Sequence, residues 1–368
     1  MAPKINDSQK IEKLTCSAYI IPTEEPESDG TLKWNSTTLV LVEINAGGKN
    51  GIGYTYGDAS IAGFIHKNFQ KLLLGRNALD IPALWNCMVH SIRNEGGWGM
   101  AMMAISAIDI ALWDLKAKIL ELSLSNLLGK ARTAVPVYAS GAFTSYSSEC
   151  LKAQMEIWAN EGFTQMKMKI GRNWEEDLAR VKLARDCIKP ENELFVDANG
   201  AYDIKTALKL SESFANYGVT WFEEPVPSSN LEGLAFLRNH APAKMNIAAG
   251  EYGYGVHYFY EMLKSGSVDV LQADATRCGG ITGFLKAGNL AFALQIPFSF
   301  HCASAVHIHA AAALPSFYIG EYFYDHARIE QLLFEGAQKP IEGKIAPDWS
   351  RNGLGIEWKS NDAAPFKV

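Results

Sequence analysis

Seven ionisable residues close seven successive short apolar runs: Lys169, Asp197, Glu223, Glu251, Asp274, His301 and Glu321. They are spaced 28, 26, 28, 23, 27 and 20 residues apart, close to the length of one strand–helix unit. A single acidic residue at a strand end is ordinarily a turn or helix-cap residue. Capping favours Ser, Thr and Asn, however, and would supply neither Lys nor His. Seven such residues in phase with one repeat length point to a shared site.

Chemistry divides the set in two. Asp197, Glu223 and Glu251 come from three consecutive runs and have no compensating Arg beside them. Carboxylates brought together repel unless they share a proton or a cation. Three hard oxygen ligands with open positions suit Mg2+, which keeps waters and takes substrate oxygens. Lys167 and Lys169, two apart, share one face of a strand. His301 lies two runs beyond Glu251, with Asp274 on the neighbouring run, and a carboxylate beside a His fixes its tautomer and raises its basicity. Lysine on one side, a His–Asp pair on the other and a metal between them form a device for moving protons next to a carboxylate.

Such residues need a frame that gathers strand ends. From Val135 onward the runs VPVYASG, TQMKMKIG, ELFVDANG, VTWFEEP, MNIAAGE, VDVLQADA, IPFSFHC and FYIGEY alternate with amphipathic stretches. Eight strands alternating with helices predict an α/β fold with a parallel barrel, in which all strand C-termini meet at one mouth. The first 133 residues read differently. Strands over Leu14–Ile21, Thr37–Ile44 and Gly51–Tyr56 precede helices over about 64–75, 80–93 and 99–119, an α+β arrangement. The last helix is apolar on several faces and should lie between two layers. Pro22–Asn35, polar and bearing Pro and Gly, reads as a mobile loop, and long loops in compact domains often serve as lids. The division is therefore 1–133, 134–346 for the barrel, and 347–368 as a tail returning to the first domain.

Composition narrows the function classes. The 368 residues carry 34 basic and 40 acidic side chains, a net charge of −6 with no basic block, so nucleic acid is not an expected partner. Six scattered cysteines without a CxxC read as reduced thiols of a cytoplasmic protein. The first fifteen residues, MAPKINDSQKIEKLT, contain no apolar run, so no secretory signal is expected. The most apolar stretch, Met100–Trp113, is too short to span a bilayer and carries Asp109, so no membrane partner is expected.

Taken in order, Lys167-Met168-Lys169, Asp197-Ala198-Asn199, Glu223-Glu224-Pro225, Gly250-Glu251, Asp274 in ADATRCGGITG, His301 and Glu321 resemble the enolase superfamily, in its mandelate racemase subgroup. That resemblance covers essentially the whole chain. It implies a modified TIM barrel, (β/α)7β, with an N-terminal α+β capping domain. It also implies one Mg2+ on Asp197, Glu223 and Glu251, with Lys169 and the Asp274-paired His301 as the acid–base groups. Lys167 and Glu321 would hold the substrate carboxylate. A Lys or His base beside Mg2+ that stabilises an enediolate is the known pattern of this superfamily. A muconate-lactonising type of site would place a catalytic lysine near the sixth strand; here Arg277 stands there, and a guanidinium stays protonated.

Within the subgroup the resemblance implies a small carboxylate substrate, most members being acid-sugar dehydratases that form 2-keto-3-deoxy acids. Racemisation, epimerisation and cycloisomerisation begin with the same proton abstraction, so these site residues alone do not choose. A non-catalytic barrel is the further alternative, disfavoured because every catalytic position is filled. Substrate contacts are expected from Asn199, Trp34, Tyr54 and Tyr252, with Thr23, Glu24, Glu25, Asp29, Lys33, Thr55, Tyr56 and Tyr254 nearby. Trp98 reads as a core or lid residue, and His307 and His309 as helix-packing residues. A homo-oligomer is expected.

Overall fold

Three antiparallel strands open the chain, β1 (Lys13–Ser28), β2 (Lys33–Ala46) and β3 (Lys49–Tyr56), and the central one is apolar at every position over Leu39–Val42 because both its faces are buried. The computed structural model describes residues 9–368; residues 1–8, part of the segment read above as lacking a targeting signal, lie outside it. Pro22–Asn35 is not a loop. Both strands run through it, with Pro22 opposite Ser36 and, after a bulge, Glu27 opposite Trp34, leaving only a tight turn at residues 29–32. The Pro and Gly read as loop signals mark an irregular pairing and a turn instead.

The helix Met100–Ile119 covers the sheet, and it is buried on nearly every face as its composition predicts. A Cβ added at Gly53 of β3 would meet the carbonyl oxygen of Ala107 at 2.2 Å, so glycine there lets helix and strand touch backbone to backbone. The other side of the helix meets the barrel. Asp109 accepts from Thr282 N and Oγ1 at 2.9 and 2.7 Å, capping the first turn of the barrel helix Gly280–Ala293. The polar break in this apolar helix is thus a cap for another element.

Eight parallel strands form the barrel: β4 (Val135–Gly141), β5 (Gln165–Lys169), β6 (Glu193–Asp197), β7 (Val219–Glu223), β8 (Asn246–Ala249), β9 (Val270–Ala273), β10 (Phe298–Phe300) and β11 (Phe317–Phe323). Pairing of β11 with β4 closes it. Seven helices connect the eight strands, which gives the (β/α)7β arrangement and its antiparallel cap. The predicted helices of the cap are present with shifted limits, Ser60–Asn68, Gln70–Leu73 and Ile81–Ser91. At the C-terminus, Val368 N donates to Ala18 O, and the Trp358 ring packs on Tyr19 at 4.8 Å. No helix among the described residues is long and apolar enough to cross a membrane.

Candidate active site

Strand register sets the first half of the site. Lys169 is paired in register with Asp197, and Asp197 with Glu223, so three neighbouring strands end at one level with charged side chains facing inward. Glu251 and Asp274 follow β8 and β9, His301 follows β10, and Glu321 lies within β11. All seven are buried. The structure brings them together as contacts.

Carboxylate oxygens of Asp197, Glu223 and Glu251 lie within 4.8 Å of one another, close enough to share one cation. Lys169 Nζ is 2.5 Å from Asp197 Oδ2. Lys167 Nζ lies 2.6 Å from Glu223, 2.8 Å from Glu321 and 3.4 Å from Asp197. On the opposite flank, His301 Nδ1 sits 2.9 Å from Asp274 Oδ2 and His301 Nε2 3.3 Å from Glu251 Oε2. One expectation fails here: an arginine does stand beside the carboxylates, with Arg277 Nη1 3.5 Å from Glu251 Oε1. It reaches Glu251 from the loop after β9, where spacing in the sequence gives no sign of the contact.

The charges do not balance. Six buried carboxylic acids, Asp197, Glu223, Glu224, Glu251, Asp274 and Glu321, face Lys167, Lys169, Arg277 and His301. Burial pushes the Glu223 carboxyl well up, and Asp197 and Glu321 add to this against the pull of Lys167. Burial and the neighbouring Glu251 do the same to Glu224. Asp197 is held low because the Lys169 and Lys167 charges outweigh its burial. Burial opposes the charge of Lys169, but Asp197 keeps its ammonium well above the ordinary lysine range. Burial would likewise raise Asp274, yet the hydrogen bond and charge of His301, with Arg277, hold it well below the usual carboxylate range. Oε2 of Glu251 and Oε1 of Glu224 are buried and accept no hydrogen bond among the described residues. Excess negative charge with an orphaned carboxylate oxygen is what a divalent cation would satisfy, and the all-oxygen donor set fits Mg2+.

A cavity of about 300 Å³ opens over this cluster between cap and barrel. Lys169, Glu251 and His301 line it, together with Asn199, Tyr252, Trp34 and Asp29. Asn199 holds a left-handed backbone (φ 46°), and its Oδ1 is buried without a partner. The turn at residues 29–32 docks on the barrel: a Cβ at Gly30 would strike the Ala198 carbonyl oxygen at 2.3 Å, and Thr31 Oγ1 donates to Asn199 O. Trp34 Nε1 donates to the buried Glu27 at 2.8 Å, and its ring stands edge-on to Phe143.

Several expected contacts lie elsewhere. Tyr54 is fully buried with its hydroxyl 2.6 Å from Glu330, and it does not line the cavity; Tyr56 does. Side chains alternate along β3, so choosing one of two tyrosines two residues apart depends on which level the cap leaves open. Lys167 and Glu321 are also outside the lining: both are wholly buried, paired with each other, and Glu321 is further bonded by Ser140. Tyr254 packs in the cap core, and Trp98 is 55% exposed, so it is no core residue. Thr23, Glu24, Glu25 and Lys33 stay off the cavity wall. His307 and His309 are buried and bonded to backbone groups, Ala275 N and Ala303 O for one, Leu354 O for the other. Cys302, His326 and Arg277 also line the cavity. Cys302 could have been suspected from its place beside His301; His326, on the helix after β11, has no marker in the sequence.

Comparison with known proteins agrees with this architecture. Residues 22–129 match the mandelate racemase/muconate lactonizing enzyme N-terminal domain, and residues 150–363 the enolase C-terminal domain-like family. A mandelate racemase/muconate lactonizing enzyme-like protein from Rubrobacter xylanophilus is 48% identical, and its crystal structure superposes with a TM-score of 0.95, covering 98% of this chain and 100% of that one. L-talarate/galactarate dehydratase from Salmonella typhimurium LT2 is 31% identical over 361 residues, 94% of this chain and 88% of its own length. Its structure liganded with Mg and L-lyxarohydroxamate gives a TM-score of 0.90, covering 98% of this chain and 93% of that one. D-galactarolactone cycloisomerase from Agrobacterium fabrum is 29% identical over 364 residues, 94% of this chain and 95% of its own. This chain belongs to the mandelate racemase/muconate lactonizing enzyme family of the enolase superfamily.

Proposed function

We propose that this protein removes the proton α to the carboxylate of an acid sugar, with Mg2+ as its cofactor, and expels the β-hydroxyl to leave a 2-keto-3-deoxy acid. The observation that carries this reading is the placement of Lys169 and His301 at opposite ends of the Asp197–Glu223–Glu251 cluster, both facing one cavity. Asp197, Glu223 and Glu251 would hold the Mg2+, whose charge would offset the second negative charge that grows on the substrate carboxylate as the proton leaves. Lys169 serves as one acid–base group; its ammonium is hydrogen-bonded to Asp197, and neutralising that carboxylate would ease the loss of its proton. His301, oriented through Nδ1 by Asp274, offers Nε2 as the second, suited to protonating the departing hydroxyl. Lys167 and Glu321 act from behind the wall by fixing the carboxylates. Asn199, Trp34 and Tyr252 read the hydroxyl-bearing chain, Asn199 Oδ1 being free to accept from a substrate hydroxyl.

Cycloisomerisation of a sugar lactone is the second reading, favoured by the near-complete overlap with the Agrobacterium cycloisomerase. A panel of mono- and diacid sugars and their lactones tests both. Formation of a 2-keto acid supports dehydration, and rearrangement without mass change supports cycloisomerisation. Unaltered turnover by Lys169→Ala would sink either. The same reading makes the protein a cytoplasmic homo-oligomer, supported by its six unpaired cysteines and by exposed Ile157, Trp174, Phe292 and Ile341; light scattering reads the assembly.

A further inference from the structure

We propose that His301, Cys302 and Glu321 form a second cation site, selective for a thiophilic divalent ion such as Zn2+, beside the hard-oxygen site that would take Mg2+. Cys302 Sγ lies 3.2 Å from His301 Nε2 and 3.3 Å from Glu321 Oε2, and those two atoms are 3.7 Å apart. Zinc bonds of about 2.0–2.3 Å in a tetrahedron place neighbouring donors about 3.3–3.6 Å apart. The three atoms therefore stand near coordination geometry without rearrangement.

The surroundings hold each donor in place. Asp274 receives the other ring nitrogen of His301, the carboxylate–histidine arrangement that orients metal-bound imidazoles. Lys167 and Ser140 fix the far oxygen of Glu321 at 2.8 and 2.6 Å. Cys302 and Ala303 follow β10 with left-handed backbones, φ 51° and 40°, a costly conformation for two successive non-glycine residues. That tight turn carries the sulfur to the cavity wall. Glu251 Oε2, the buried oxygen already assigned to the Mg2+ site, lies 3.3 Å from His301 Nε2. It could close a fourth position in Mg2+-free protein, whereas with Mg2+ bound the site keeps three donors and an open place. Mg2+ does not compete for the sulfur, because it selects oxygen donors.

Binding forms a Zn–S bond and releases the Cys302 thiol proton to solvent. It also takes the Nε2 lone pair of His301, so bound Zn2+ should silence turnover; that consequence rests on the proposed acid–base role of His301, while the binding itself does not. The test uses Mg2+-saturated full-length protein. Co2+ as a spectroscopic probe should give a sulfur-to-cobalt charge-transfer band saturating at about one ion per chain, absent in Cys302→Ser. The Zn2+ concentration that halves Mg2+-supported activity should rise at least ~10-fold in that variant, each protein normalised to its own activity. X-ray absorption at the zinc edge of wild-type protein needs no variant and should show one sulfur neighbour. Absence of a sulfur neighbour, or an unchanged cobalt band in Cys302→Ser, would overturn the proposal. A sulfur neighbour without inhibition would leave the site standing and remove His301 from the mechanism.

Discussion

Phe195 and Asp197 stand two residues apart on β6, and Trp221 and Glu223 two apart on β7, all facing the barrel interior; yet one member of each pair belongs to an aromatic floor and the other to a charged mouth. In the floor, Phe195 stacks on Trp221 at 5.1 Å, Tyr138 stands edge-on to Phe195 and tilted against Trp221, and Ala248, Val270 and Ile319 complete the cluster. One turn of pleat higher, the inward positions are carboxylates and lysines. The two layers share strands, register and burial. They differ in what satisfies them: the floor is complete in itself, whereas the mouth has more buried acid than base and an orphaned Glu251 oxygen. Trp221 Nε1 joins the layers by donating to Glu223 at 3.0 Å. A layer that can be completed only by something added is one that function, and not folding, explains.

The largest separation between the layers should appear on substitution in the mouth. Asp197→Asn or Glu251→Gln should cost at least about 10³-fold in turnover, since bound cation charge is worth several kcal/mol at a developing dianion. Glu251→Gln should keep or raise the melting temperature of metal-free protein, because it removes surplus negative charge, whereas Asp197→Asn should lower it by leaving the buried Lys169 ammonium without its carboxylate partner. A loss of fold would show instead that the mouth is structural. Next, Lys169→Ala and His301→Ala should each lower kcat by about 10²–10⁴-fold with KM little changed. Wild-type-like α-proton exchange in both would remove both residues from the chemistry.

The floor should give the opposite result. Trp221→Phe keeps an aromatic plug but drops the hydrogen bond to Glu223, so it should weaken Mg2+ binding modestly and stability slightly. Trp221→Ala should destabilise by about 3–5 kcal/mol, the usual cost of emptying a core aromatic site. Equal effects of both variants on metal affinity and stability, read by calorimetry and denaturant melts, would blur the distinction between layers.

Much of this comparison is legible in the sequence itself. Period-two spacing put Lys167 with Lys169, and strand-length recurrence put seven charged residues at one mouth, because a parallel barrel converts sequence period directly into height. What the period does not encode is the cap. Choosing Tyr56 over Tyr54, or finding His326, depends on where one sheet lands on another. The hairpin at Pro22–Asn35 reads as a loop because Pro22, Gly30 and its run of acidic residues are loop signals, whereas Glu27 and Ser28 are buried through bonds to Trp34 and to Thr144 of the barrel, which the sequence does not reveal. The sequence marks Arg277 as a residue that cannot act as a base, but its contact with Glu251 comes from loop geometry.

The smallest predicted effect lies in that hairpin. Burial pushes the Glu27 carboxyl up to about 8, with Asp325 adding to the shift and the Trp34 hydrogen bond opposing it. Its folded value lies above the ordinary glutamate value of about 4.3, so its contribution is full at low pH, is lost as pH rises toward about 8, and levels off beyond. Hydrogen exchange of hairpin amides, corrected for intrinsic rates, should therefore show protection falling from pH 5 to 8. Glu27→Gln should flatten that slope, and an equal slope in the variant would place the effect elsewhere.

Deuterium exchange addresses the central claim most directly. Wild-type protein in D2O with Mg2+, offered a panel of acid sugars, should place solvent deuterium α to the carboxylate of recovered accepted compound, or at C3 of its 2-keto-3-deoxy product, where the enol takes up a solvent deuteron. Chelation of the metal or the Asp197→Asn substitution should abolish that incorporation. Turnover of an accepted sugar acid that persists undiminished in excess chelator, or that leaves the α-hydrogen in place, would contradict the account.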